Sequence, residues 1–588
     1  MNFKNNMTFE PTPGASIRYL QSLGIVNVDS FLYKPRPSDY ESPWNLDKIE
    51  ELIDELYTGF TLNKNFFLQV DSDTDGYTSS SIFYNYFKTL FPEAKIEWRI
   101  HDGKEHGVIV KTVPCYTDIV IIPDAGSNQI DEIEELTRAG RKVLIMDHHV
   151  VNHISNYDGS VIVNNQTSAN FHNKSLSGAG VVLKVIQAYD EKYNGGKGLY
   201  KKFEDLAAVG IIADCMDTRN LDNNAIIRNG LANINNEMVK ALMLQQSYKI
   251  GGNKVPNKID VAFYIAPLIN AVIRSGTLEE KEEFFKGFIT AGCEETIVSY
   301  WRGEKREESY YQYLARTAYN LRNRQNSQKE KSIEAICEII EENNLHHNKV
   351  LILKINADDV PQNITGLVAM EIQKRYNRPT LVLRPVLDNG YIYYRGSGRA
   401  SVVENFDNFM EVLQKSNLMD YVEGHDNAFG ASVLEDNIPA LLKFLNEELK
   451  DVTFQEYCEV DCSMNDKNWN NVVLKEFGEM IDVFGYGIPQ PKFHFNFQVK
   501  TTDFRVQGAR GDSLKIQYKG VVFIAFLNKD LVNKYMDLNE KCLKSHKEIK
   551  VELIGRSQIN DYNGFKNVNI MIDNIELTLA EPKVKALF

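Results

Sequence analysis

The 588-residue sequence predicts an α/β protein: a parallel-sheet domain, a helical connector, a second and smaller α/β domain, and a C-terminal β-barrel. Three observations carry that reading. Between about Asn65 and Leu231, short β-type runs alternate with helical-looking segments, the pattern of a parallel sheet. Several apolar runs in that region end on metal-competent side chains, which open parallel sheets gather at the carboxyl ends of their strands. From Pro491 onward, strand-like runs follow one another through turns with almost no helix. A chain of this length exceeds one core, and at ~150 residues per domain three or four are expected.

Taken in order, residues 1–240 hold an N-terminal segment and the parallel-sheet domain. Its strands are read at Phe66–Val70, Ile96–Ile100, Ile119–Ile122, Val143–Met146 and Val161–Asn164, with helices at Ser79–Leu90 and Ile130–Ala139. Residues 241–345 turn to long charged stretches with apolar residues at helical spacing, as in Tyr310–Arg324 and Ile333–Asn344, and form the helical connector. Residues 346–455 resume strands at Val350–Ile355 and Thr380–Leu383 around a helix at Gly366–Tyr376. In residues 456–588 the strands Phe493–Val499, Lys515–Tyr518, Val521–Leu527, Ile549–Ile554 and Asn567–Ile572 make the barrel.

Composition is that of an ordinary soluble globular protein. No apolar run approaches the ~18 residues of a membrane helix, and Met1–Asn6 does not resemble a secretory signal, so a cytoplasmic protein with no membrane partner is expected. Seven scattered cysteines, an odd number, fit reduced thiols, and Cys458-x-x-x-Cys462 lacks the second pair a zinc site needs. A net charge of −14 argues against a polyanionic partner, but the stretch from Pro491 to the end carries 16 Lys+Arg against 11 Asp+Glu. That basic tail is where a polyanion could sit.

The candidate site lies at the run ends. Phe66–Val70 delivers Asp71-x-Asp73-x-Asp75-Gly76, Ile119–Pro123 delivers Asp124, Val143–Met146 delivers Asp147-His148-His149, and Ala207–Ala213 delivers Asp214. Carboxylates with an imidazole suit magnesium or manganese, and two ions sharing a site need bridging carboxylates. The first loop opens like a calcium-binding EF-hand. It fails as one because Ile82 stands where the bidentate Glu belongs and a strand-like run precedes it.

His148 is read as a metal ligand alongside Asp73, Asp75, Asp124 and Asp214. Successive side chains of an extended stretch point oppositely, so His149 is assigned to substrate phosphate or to proton handling. His101 and His106 are weaker candidates to line the site, and His346-His347 is assigned nothing. Two further clusters suit phosphate: Gly396-Ser397-Gly398-Arg399, whose bland reading is a tight turn, and Gly424-His425-x-x-Ala428-x-Gly430.

With those residues in hand, most of the chain resembles the RecJ type of the DHH phosphoesterase superfamily. Asp71–Gly76, Asp124-Ala125-Gly126, Asp147-His148-His149 and Ala213-Asp214 resemble the four motifs of its DHH domain. Ala266-Pro267-Leu268-Ile269-Asn270-Ala271-x-x-Arg274 resembles a segment ending in a phosphate-contacting Arg, and Gly396–Arg399 and Gly424–Gly430 resemble the DHH-associated substrate-binding domain. Phe484-Gly485-Tyr486-Gly487-Ile488-Pro489-Gln490-Pro491 resembles the linker before the family's OB-fold, and Asn560–Gly564 that fold's closing strands.

The resemblance implies a two-metal exonuclease removing nucleotides from the 5′ end of single-stranded DNA, with a role in DNA recombination and repair. Asp73, Asp75, Asp124, His148 and Asp214 would hold two manganese or magnesium ions, with Asp71 and Asp147 supporting or bridging them. Arg274, Ser397 and Arg399 would hold the terminal 5′ phosphate, and His149 and His425 would contact the scissile one. Single-stranded DNA is the implied partner, with a single-strand binding protein or a helicase as further candidates. The alternatives are hydrolysis of short oligoribonucleotides and a catalytically inert replication scaffold. The chain departs from the family pattern at Gln69, where many relatives have His, at Glu423 in place of Gly, and at Ile488 in place of Asn.

Overall fold

The computed structural model describes residues 3–103, 105–151, 158–251, 255–290, 292–293, 295–301, 304–356, 359–454, 458–508, 510–545, 547–562 and 565–580. The chain divides into two compact units, one of Met1–His101, Glu105–Ala266 and Tyr457–Phe588, the other of Asp102–Lys104 and Pro267–Glu456.

Apolar runs without polar alternation need cover on both faces, and in the first unit they have it. Five parallel strands lie in the order Lys95–Ile100, Asn65–Val70, Ile119–Pro123, Lys142–Asp147, Ser160–Asn164. Alternate residues Phe67, Val120, Ile122, Val143 and Ile145 pack with Ile133 and Leu136 of the helix Ile130–Arg138. On the opposite face the helix Ile49–Thr61 comes so near that a Cβ on Gly59 would stand 2.5 Å from Ile119 Cδ1. Phe60 of that helix stacks on Phe66 at 4.2 Å and on Phe87 of the helix Thr74–Leu90 at 4.5 Å. Strand order reverses between Asn65–Val70 and Ile119–Pro123, and the crevice at such a reversal is where open α/β sheets bind ligands.

The OB-like region of this unit is a seven-stranded mixed sheet, ordered Cys462–Asn465, Phe493–Val499, Ile549–Tyr562, Phe565–Leu579, Val521–Ala525, Ser513–Tyr518, Phe504–Gln507. It corrects the reading of almost no helix, because Asn471–Glu479 and the 17-residue Lys529–Ser545 are both helical. Lys529–Ser545 is strongly charged and turns a narrow apolar edge (Leu531, Val532, Tyr535, Leu538) to the core, so strand-centred reading passes over it. A second difference concerns the N-terminal segment. Phe9, Tyr19, Leu20 and Phe31 share one core with Phe477, Phe493 and Phe495, and Phe3–Asn5 pairs in parallel with Cys458–Val460. Burial of aromatic surface, which is blind to sequence distance, joins the two ends of the chain.

In the second unit a five-stranded sheet runs Met419–His425, Ala428–Leu434, Tyr391–Arg399, Thr380–Asp388, Leu351–Lys354, and only the last pair is parallel. Gly396–Arg399 thus belongs to a strand and is not a tight turn. The connector also departs from expectation: its two helical stretches are one helix, Tyr310–Glu342, opened by a capping box of Ser309 and Gln312. It is preceded by an antiparallel hairpin, Thr296–Trp301 with Glu304–Ser309. The second strand reads Glu-Lys-Arg-Glu-Glu-Ser, with no apolar face to announce a strand. Among the described residues all seven cysteines are free thiols, and no helix is long and apolar enough to cross a membrane.

Candidate metal centre

Asp71 and Asp124 follow the two strands that flank the reversal of strand order, and Asp147 ends the next strand. Asp214 arrives differently. Ala207–Ala213 is the end of a helix, Glu204–Ala213, and Asp214 is its C-terminal cap. That corrects the strand-end reading of this run; the residues Leu-Ala-Ala-Val-Gly-Ile-Ile before Ala213 are all buried, and such a helix has the same continuous apolar pattern as a buried strand. Asp73 caps the helix Thr74–Leu90, its Oδ1 accepting from Gly76 N at 2.9 Å, and Asp75 occupies that helix's first turn.

Three of the carboxylates are clamped from behind. Asp75 accepts from Ser177 Oγ (2.9 Å), Gly178 N (2.6 Å) and Ala179 N (3.1 Å) at the start of the helix Gly178–Tyr193. Asp71 accepts from Gly107 N at 2.9 Å and meets His106 Nδ1 at 2.8 Å. Asp147 accepts from Ser127 N (3.0 Å), His148 N (2.7 Å) and His149 N (3.2 Å), and meets His149 Nδ1 at 2.8 Å. These contacts crowd Oδ1, whereas Oδ2 accepts from Ser127 N, so Asp147 holds the backbone and ring of its two histidine neighbours in place. Glycine makes this density possible: a Cβ on Gly178 would fall 2.2 Å from Asp124 Oδ1, and one on Gly210 would fall 2.2 Å from Asp75 Oδ1.

His148 Nε2 reaches Asp124 Oδ1 at 3.2 Å, Asp214 Oδ2 at 3.5 Å and Asp75 Oδ2 at 4.0 Å. Two triads of donor atoms result, Asp71, Asp73, Asp124 and Asp75, His148, Asp214. A third, Asp124, His148 and His149, overlaps both. His149 is therefore nearer the metal-competent atoms than strict alternation along the chain implies. His101 is buried against Gln69, the ring and amide meeting at 3.2 Å, and Gln69 Nε2 donates to Val70 O and Arg99 O; neither residue joins the donor triads.

The charges are in conflict as they stand. Burial, then Asp71 and Asp75, pushes the Asp73 carboxyl up to about 6. Burial, then Asp75, Asp73, Asp71 and Asp214, raises Asp124 well above its ordinary range, and burial with Asp75 and Asp73 raises Asp214. Burial lowers His148, while the hydrogen bond to Asp147 lifts His149 to about 9. Burial opposes ionisation of Asp147, but the His149 contact and the two imidazoles hold it below the usual carboxylate range.

Asp124 Oδ1 is buried and accepts no hydrogen bond among the described residues, although His148 Nε2 lies near it. An orphaned buried carboxylate oxygen, shared between triads and ringed by other acids, fits a divalent cation. Asp124 also holds φ +64, a left-handed conformation that Asp and Asn tolerate best among side chains larger than glycine.

In the second unit the structure brings Arg274, Ser397 and Arg399 together. Burial and the nearby Arg274 charge lower the Arg399 guanidinium. Ser397 Oγ lies 3.0 Å from Thr365 Oγ1, and a Cβ on Gly366 would meet Arg399 Nη2 at 2.7 Å. Thr365 and Gly366 open the helix Thr365–Tyr376, which brings that helix's first turn beside Ser397 and Arg399. The side chain of His425 lies outside the described residues; its backbone pairs with Ala428.

Sequence reasoning missed Ser177, Gly178, Gly210, Thr365 and Gly366. Ser177-Gly178-Ala179-Gly180 before an apolar helix carries the signal for the first two, a hydroxyl N-cap followed by small residues. The others hold their place through contacts between distant segments and have no local signature.

Comparison with known proteins extends the picture. Residues 65–211 match the N-terminal domain model of the DHH family, and residues 460–574 match the RecJ OB domain model. The putative SPbeta prophage-derived single-strand DNA-specific exonuclease YorK of Bacillus subtilis (strain 168) is 33% identical, with 98% of either chain covered. The single-stranded-DNA-specific exonuclease RecJ of the same organism is 23% identical over 91% of this chain and 64% of its own. Among solved structures, RecJ from Thermus thermophilus in complex with Mn2+ shares the fold with a TM-score of 0.68, at 22% identity over 90% of this chain and 72% of that one.

Proposed function

This chain belongs to the RecJ family of DHH phosphoesterases, and on that premise we propose that it is a divalent-metal-dependent exonuclease. It removes nucleotides from the 5′ end of single-stranded DNA, in the cytoplasm, in the service of DNA recombination and repair. The observation that carries the reading is the orphaned Asp124 oxygen at the overlap of the donor triads. Asp73, Asp75, Asp124, His148 and Asp214 would hold two manganese or magnesium ions, with Asp71 and Asp147 in support. Bound there, such ions lower the pKa of water and neutralise charge on the attacking and leaving oxygens of an in-line displacement.

The chain's own residues do the rest. Asp147 fixes the His149 ring through Nδ1, so that its other ring nitrogen is left to meet a phosphate oxygen of the scissile group. His425 is assigned to the same phosphate. Arg274, Ser397 and Arg399, joined by Thr365, hold the terminal 5′ phosphate and so set the register of cleavage. The division of labour follows residues 1–240 for hydrolysis, 241–345 as connector, 346–455 for substrate binding and 456–588 for the single strand, where basic residues and aromatics suit stacked bases.

The test is a manganese reaction on single-stranded DNA bearing a 5′ phosphate or a 5′ hydroxyl, beside duplex DNA and a diribonucleotide, followed by product length. Mononucleotides from 5′-phosphorylated single strands are expected. Preference for the diribonucleotide would overturn the reading.

A further inference from the structure

Tyr486 stands at the tip of the turn that leads into the OB-like region, and it is 63% exposed. Gly485 N donates to Ile488 O at 2.9 Å and Ile488 N to Gly485 O at 3.1 Å, with Gly487 at φ +82 between them, as a type II turn requires. Neighbouring groups pin the turn: Tyr19 Oη donates to Pro489 O (2.7 Å), Lys258 Nζ to Val483 O (2.9 Å) and Gln490 Nε2 to Ser557 O (2.7 Å). The carbonyl of Tyr486 itself accepts twice from Thr218, from N at 3.0 Å and from Oγ1 at 2.8 Å.

Thr218 lies four residues after Asp214, so at most about 14 Å of extended chain separates their Cα atoms. The loop between them is held in turn by Asn223 Nδ2 donating to Asp217 O at 3.0 Å. Arg219, half exposed and paired to Asp217, packs against Gly487, where a Cβ would meet its Nε at 3.3 Å. A planar ring and a guanidinium are thus presented to solvent at a fixed offset from a metal-competent carboxylate. An aromatic ring left in water on a backbone that is fixed beside the proposed phosphodiester-cleaving site suits a base, since every base has a face to stack and the platform's backbone pays no further ordering cost.

We propose that Tyr486 is a stacking platform for one nucleobase of the single strand engaged at the metal centre, with Arg219 meeting the adjoining phosphate. This rests on the exonuclease reading and adds a substrate-binding residue that keeps the strand in register between the OB-like region and the site.

The experiment compares wild type, Y486F, Y486L and Y486A on 5′-phosphorylated single-stranded DNA in manganese, with KM and kcat separated. Strand binding is measured alongside by anisotropy in EDTA. A second substrate series carries a single abasic nucleotide walked through the first eight positions. Y486A and Y486L are expected to raise KM and weaken binding about tenfold with kcat within twofold, Y486F to stay within twofold of wild type, and one abasic position to erase the difference between Y486A and wild type. Y486L keeps the bulk, so a loss confined to Y486A, a loss in Y486F equal to that in Y486A, or a uniform effect at every abasic position overturns the proposal. Failure of wild type itself to digest single strands would instead overturn the exonuclease reading.

Discussion

The carboxylate cluster around Asp124 and the guanidinium pair of Arg274 and Arg399 are both assemblies of like charge, but they are built to different tolerances. Asp71, Asp75, Asp124 and Asp147 are buried, Asp73 and Asp214 half-buried, and several are fixed by two or more donors from backbone amides and capping hydroxyls, as Asp75 is by Ser177, Gly178 and Ala179. The cationic pair sits on a strand and a helix end, with Arg274 exposed, Arg399 Nη1 donating to Gly398 O at 2.6 Å, and the hydroxyls of Ser397 and Thr365 3.0 Å apart. On the proposed reading, the difference reflects the ligand. Cations that must stand at set distances from a reacting phosphate need ligands that do not move, whereas the end of a strand is captured by charge and then released.

The largest break in this comparison is D124N. Asn tolerates the φ +64 of that position, so the backbone is kept while the shared ligand is lost. Steady-state digestion is expected to fall at least ~10³-fold with secondary structure unchanged by circular dichroism. At the other cluster, R399M is expected to cost about 10- to 100-fold in kcat/KM on 5′-phosphorylated strands and little on 5′-hydroxyl ones, measured with the two substrates in parallel. An equal loss on both would remove the distinction drawn between the clusters.

G178A sharpens the point about tolerances. Its Cβ would stand 2.2 Å from Asp124 Oδ1, so a methyl group that touches no substrate should destabilise the fold by about 1–3 kcal/mol in chemical denaturation and weaken manganese binding.

The smallest effect is in the pH dependence of the metal-free protein. Asp73 is raised from an ordinary 3.8 to about 6, and Asp124 and Asp214 are raised as well. Between about pH 4 and 8 the folded chain therefore binds more protons than the unfolded one, and its stability falls as pH rises through that window. Cations that compensate the ionised acids should restore it. The Tm gained on adding manganese should be ~5 °C at pH 7.5 and shrink towards zero at pH 5, read by differential scanning fluorimetry.

The acid cluster is largely legible in the sequence because each acid follows a recognisable apolar run and parallel sheets collect strand ends on one edge. Asp214 is reached for a partly mistaken reason, since a helix buried all round shows the same run as a strand. The clamps are not legible: Gly210 matters through Asp75, more than a hundred residues away, and Thr365 through Ser397 on another element. The helix Lys529–Ser545 and the strand Glu304–Ser309 escape a reading by pattern because charged residues cover their exposed faces and mask the period. The packing of Phe9 and Tyr19 with Phe493 likewise depends on contact between chain ends that no local pattern announces.

The central claim is that this chain holds two divalent cations on the acids around Asp124. Counting bound manganese by the loss of the free-ion electron paramagnetic resonance signal, on EDTA-stripped wild type and D124N, tests it most directly. Two ions per wild-type chain, and at most one tightly held by D124N, are predicted. Stoichiometric binding of fewer than two ions by wild type, or unchanged binding by D124N, would contradict it.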